Sequence, residues 1–97
     1  DKFSQCTGID FAIAARRSRL LGEWAGRQMG VNEAETESYA KDVVRSDFEH
    51  AGDHDVIRKV IGDLTTAGVD TNEEAVAEAL RNKEIDARRQ IIEAVNL

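Results

Sequence analysis

Proline is missing from this 97-residue chain altogether, and cysteine occurs once. No position is therefore barred from helix by a ring that fixes φ and removes an amide donor. Cys6 has no second cysteine to bridge and no histidine beside it to act as a base, so neither an internal disulfide nor a thiol nucleophile follows from it. Aromatic residues are scarce at 5%, which leaves Ala, Val, Ile and Leu to build the core. Positive charge is also short, with 13 Lys and Arg against 19 Asp and Glu and a net charge of −6. A protein that neutralises phosphates needs the opposite balance, which speaks against nucleic acid as a partner. No run reaches the ~20 apolar residues of a membrane span, and none has the pattern of a signal peptide. The expectation is a cytoplasmic chain without direct membrane insertion. Glycine-rich phosphate loops and nucleophile–base–orienter sets are missing too, so neither an enzyme nor a cofactor is expected.

What remains is charge and helical period. Charged residues make up 33% and hydrophobic residues 41%. The apolar positions recur at three-to-five spacing, as one face of a helix requires. The clearest stretch is YAKDVVRSDFEHAGD running into HDVIRKVIGDL at residues 39–64. Tyr39, Val43, Val44, Phe48 and Ala51 form one stripe, and Val56, Ile57, Val60, Ile61 and Leu64 form the next. Gly52 offers the left-handed backbone needed past a helix end, and Asp53 reads as the following N-cap. Four helices are predicted, at about 9–29, 33–51, 54–67 and 72–95. The fold class is all-α, an antiparallel four-helix bundle over 9–97 preceded by a flexible N-terminal segment, residues 1–8. A monomer is expected in isolation.

Local signals support these boundaries. Asn32 with Glu35 resembles a capping box, and Thr71 with Glu74 has the Thr-x-x-Glu form. Glu33, Glu35, Glu73 and Glu74 fall in first turns, where the helix dipole favours anions. Gly22 and Gly26 sit four apart on the first helix and read as a close approach by a neighbouring helix, with Gly26 also open to a hinge role. Trp24 and Tyr39 read as core residues, the indole bridging the first two helices.

Two charged groups are candidate sites. His50 and His54 have the four-residue spacing of two-histidine metal motifs, which opens a metal-dependent hydrolase reading. Gly52 and Asp53 interrupt any helix between them, so a solvated acidic elbow is preferred and no metal is expected. Arg16, Arg17, Arg19 and Arg27 concentrate positive charge on the first helix of an acidic chain. They read either as a solvated face or as a docking strip for carboxylates.

The segments ARRSRLLGEWAG and YAKDVVRSDFEHAGDHDVIRKVIGDL resemble the zeta-type inhibitor subunit of the alphaproteobacterial F-type ATP synthase. Arg16, Arg17, Leu20, Leu21, Gly22, Trp24 and Ala25 carry the first block. Tyr39, Ala40, Val43, Val44, Asp47, Phe48, Glu49, Ala51, Gly52, Asp53, Asp55, Val56, Lys59, Asp63 and Leu64 carry the second. Lys2 and Phe3 match a Lys-Phe pair near the start of the family pattern, whereas Ser4 to Gly8 stand where it has charged helix formers. The resemblance implies a four-helix bundle that limits ATP hydrolysis by the synthase head. It implies the alpha, beta and gamma subunits as partners and a location peripheral to the inner membrane. It further implies that residues 1 to about 19 insert at an alpha/beta interface, with Phe3, Phe11, Arg16, Arg17 and Arg19 as the contact residues. The alternative is a non-catalytic helical adaptor with another partner, using the Gly22–Gly26 face.

Overall fold

A computed structural model of the protein describes residues 8–49 and 52–95. Phe3, Cys6 and His50 lie outside them. Four helices follow one another: α1 Gly8–Met29, α2 Glu33–Glu49, α3 Asp53–Thr66 and α4 Glu73–Val95. No strand occurs among the described residues.

Helix ends are set by local chemistry, with two departures from the sequence reading. α1 stops at Gly30, where the Val31 amide donates to the Gly26 carbonyl and the Gly30 amide to that of Arg27. α3 ends in the same pattern: the Val69 amide reaches the Leu64 carbonyl across Gly68, whose φ is 85°. Val69 folds back against the core that holds Leu64, the apolar contact that accompanies this ending. The α2 start is the expected box, with Asn32 Oδ1 accepting from the Glu35 amide at 2.8 Å and Asn32 Nδ2 donating to Glu35 Oε1 at 2.8 Å.

The expected Thr71 cap is corrected to Asn72, whose Oδ1 accepts from the Ala75 amide at 2.8 Å. Asp53 is likewise no cap. Gly52, with φ 87° and ψ 152°, occupies the N-cap position of α3 without a side-chain bond, and Asp53 is the first helical residue. Its carboxylate is drawn away by Arg17 of α1, which lies 2.8 Å from it.

Antiparallel pairing follows from which residues meet. A Cβ on Gly22 would stand 2.6 Å from the Cα of Ala40, and one on Gly26 would stand 2.9 Å from Thr36 Cγ2. The two glycines therefore let the backbones of α1 and α2 close on each other, and both are buried. Lys59 and Asp63 of α3 reach Asp42 and Tyr39 of α2 in the opposite chain direction. α4 returns beside α1, so that Arg17 meets Glu84 and Trp24 stands against Ala79 and Lys83. Trp24 is half-buried against the core and borders a surface recess that α4 also lines.

Leu21, Ala25, Val43, Val56, Val60, Leu64, Val76 and Leu80 form the core, with contributions from all four helices. Aliphatic residues thus supply the burial that drives assembly, at about 25 cal/mol per Å² of apolar surface removed from water.

Candidate partner-binding site

The first half of α1 has two sides of different character. One side is held by ion pairs. Arg17 is buried, and its Nη2 lies 2.8 Å from Asp53 Oδ1 and 3.9 Å from Asp47 Oδ2, while its Nη1 lies 3.0 Å from Glu84 Oε1. One guanidinium therefore faces carboxylates from α2, α3 and α4. Next to it, Ser18 Oγ donates to Asp47 Oδ2 at 2.7 Å in the buried seam between α1 and α2. Burying Asp47 is tolerable because both a cation and a hydroxyl donor meet it. Among the buried side-chain nitrogens and oxygens of the described residues, Arg17 Nε is the one without a hydrogen-bond partner.

The other side is open. Ile9 and Phe11 are 47% and 43% exposed, although both are apolar. The Phe11 ring stacks on Phe48 of α2 with centroids 5.1 Å apart and planes at 18°. Beyond this pair a groove of about 610 Å³ runs along α1 and α2, lined by Ala12, Ala15, Val44 and Phe48 with Ile91 of α4 at its edge. Its rim carries Arg16, Arg19, Lys41 and Arg45. Arg19 is paired with Glu23 at 3.2 Å and Glu37 at 3.6 Å, and Arg45 with Asp42 at 2.7 Å.

Five residues were expected to meet a partner. The structure brings Phe11, Arg16 and Arg19 together on the groove side of α1. It turns Arg17 the opposite way, into the bundle, which corrects its expected place on an exposed strip. The cause is the three carboxylates that converge on its position. Phe3 lies outside the described residues. Lys41, Arg45 and Asp47 were not singled out, although a signal for them existed. Once Gly22 is set against Ala40, an antiparallel register places Arg16 and Arg19 opposite Arg45 and Lys41, and Ser18 near Asp47.

A second polar cluster joins α2 to α3. Tyr39 OH donates to Asp63 Oδ2 at 2.7 Å, and Lys59 Nζ bridges Asp42 at 2.9 Å and Asp63 at 3.1 Å. Lys59 also lies 5.6 Å from the centre of the Tyr39 ring. Hydrogen bonds from Lys59 first, then Arg45, hold the Asp42 carboxyl below its ordinary value. Burial works against the Lys59 ammonium, but its bonds to Asp42 and Asp63 outweigh this and raise its pKa. Burial, reinforced by the Asp63 bond, pushes the Tyr39 phenol well above its usual range.

Of the histidine pair, His50 lies outside the described residues. His54 is exposed, its Nε2 accepts from Arg58 Nη2 at 2.7 Å, and its Nδ1 lies 3.9 Å from Glu73. Among the described residues no group of three His, Cys, Asp or Glu is placed to hold a metal. Nor is any described helix long and apolar enough to cross a membrane.

The sequence model for ATPase inhibitor subunit zeta matches residues 1–90. The chain belongs to that family. Zeta-family membership makes it a regulatory, non-catalytic chain that acts on ATP synthase as an inhibitor. A chain solved by solution NMR shares the fold, with a TM-score of 0.78 and 36% identity over 90% of this chain and 99% of the other. No curated protein matches.

Proposed function

We propose that this zeta-family chain limits ATP hydrolysis by inserting its N-terminal segment into the synthase head. The expected span of residues 1 to about 19 is shortened to the residues before Ile13, because Ile13, Arg17 and Ser18 are buried in the bundle. The entry point is an alpha/beta interface beside gamma, and the bundle stays outside as an anchor. The observation that carries this reading is the exposed apolar start of α1. Ile9 and Phe11 are each less than half exposed yet are the large apolar side chains left open at the amino end of a helix whose later turns are buried, Phe11 with one face on Phe48. Apolar area left open at the start of α1 is available to a closing interface. Burying it there favours binding. Arg16 and Arg19 follow on the same side as carboxylate contacts. Arg17 contributes from within, by keeping α1 fixed to the bundle while its amino end is engaged.

The adaptor alternative relied on an exposed Gly22–Gly26 face. Both glycines are buried against α2, so that face is already used.

The test is ATP hydrolysis by synthase heads from the same source. The unaltered chain slows turnover, and Ile9→Ser with Phe11→Ser weakens inhibition at least tenfold while helical circular dichroism is retained. Equal inhibition by the double variant removes Phe11 from the contact. Failure of the unaltered chain to associate at low salt removes the proposal.

A further inference from the structure

Among the described residues nothing fills the groove that α1 and α2 form with Ile91 of α4 at its edge. Ala12 and Ala15 are too short to close it, and Val44 and Phe48 are half-buried along its floor. Two of its rim cations, Arg16 and Lys41, are exposed and make no ion pair among the described residues. In a chain of net charge −6 this rim is a local reversal of sign. Among the described residues, by contrast, Arg17 faces three carboxylates, Arg19 two and Lys59 two.

We infer that this groove receives an acidic amphipathic helix of the ATP synthase head, an inference that rests on the synthase-binding reading above. The occupant's apolar anchors sit over Val44 and Phe48. Its carboxylates face Arg16 and Lys41. A helix laid in a groove offers anchors at three-to-four spacing, which suits a floor between two antiparallel helices. Charge selects the occupant. Carboxylates gain charge-assisted bonds from these cations, whereas a second copy of the chain would bring one basic rim against another. The groove also runs into the Phe11–Phe48 stack, so a helix held there stands beside the point where the inserting segment leaves the bundle. Anchoring and insertion then use adjoining surfaces.

The experiment compares Lys41→Glu with Arg45→Glu in one variant and Arg81→Glu with Lys83→Glu on α4 in another. The two variants carry the same charge change. Binding to purified heads is measured across a salt series. The groove variant binds at least tenfold more weakly at low salt and loses most of its salt dependence, and the α4 variant binds like the unaltered chain. A cross-linker on Lys41→Cys then captures a head peptide that is helical in the head and carries Asp or Glu beside apolar residues. If the unaltered chain and the groove variant bind equally, the groove assignment is overturned and the proposed function stands. Capture of a strand or of a basic peptide overturns it as well. A dimer in sedimentation that the groove substitutions dissolve gives the groove to a second copy and also overturns it. If the unaltered chain does not bind, the proposed function itself fails.

Discussion

Gly22 and Gly62 lie in helices, but their surroundings give opposite expectations. A methyl on Gly22 meets the Ala40 backbone at 2.6 Å, which no side-chain rotation relieves. Gly22→Ala therefore forces α1 and α2 apart and costs about 1–3 kcal/mol, the range for overpacked cores. Gly62 has nothing within 4 Å of such a methyl. Gly62→Ala gains about 1 kcal/mol from helix propensity alone. Urea unfolding followed by circular dichroism separates them, since the midpoints move in opposite directions with a common slope. The close approach at Gly22 was legible in the sequence, because two glycines four apart weaken a helix unless another backbone needs the room. The partner residues of that approach, Ala40 and Thr36, were not. Asp47 was missed for a related reason. A lone aspartate late in an amphipathic helix looks solvated until Ser18 and Arg17 are known to face it.

Between elements, the polar cluster on α2 and α3 makes stability depend on pH at both extremes. Asp42 has a folded pKa below its unfolded value of about 3.9. Its contribution is present above that value and is lost as pH falls through the folded pKa. Lys59 and Tyr39 have folded pKa values above their unfolded ones. Their contributions are complete below about pH 10 and decline as pH rises further. The unfolding midpoint is thus flat across neutral pH and drops on either side. In Tyr39→Phe the neutral midpoint falls by about 1 kcal/mol, the worth of one hydrogen bond, and the alkaline decline becomes shallower. A titration series of urea melts on both proteins checks this. The elements themselves were readable because capping is local: Asn32 and Glu35 sit three residues apart and bond as their spacing requires. Asp53 shows where locality ends. Its carboxylate had a good use at its own helix start, yet a guanidinium 36 positions earlier in the chain claims it.

Across the whole molecule, stability is graded along α1. From Arg17 onward its inner face is pinned by ion pairs, the Ser18–Asp47 bond and the Gly22 seam, while the turns before it are held by the buried Ile13 and the Phe11–Phe48 stack. Local opening follows contact density, so amides at residues 12–16 exchange with deuterium faster than those at 21–25. Arg17→Met extends the fast region toward Leu21. Exchange measured residue by residue by NMR tests this, and uniform protection across both stretches contradicts it.

Arg17 also acts as a depth stop. Any partner that draws the amino end of α1 out of its bed must first unseat the buried Ile13 and then separate the Arg17 guanidinium from three carboxylates. At 1.5 Å per helical residue, the nine residues from Gly8 to Arg16 measure about 13 Å. The length of α1 that another protein can peel away is therefore capped at Arg17, and moving that arginine one turn along the helix would reset the cap.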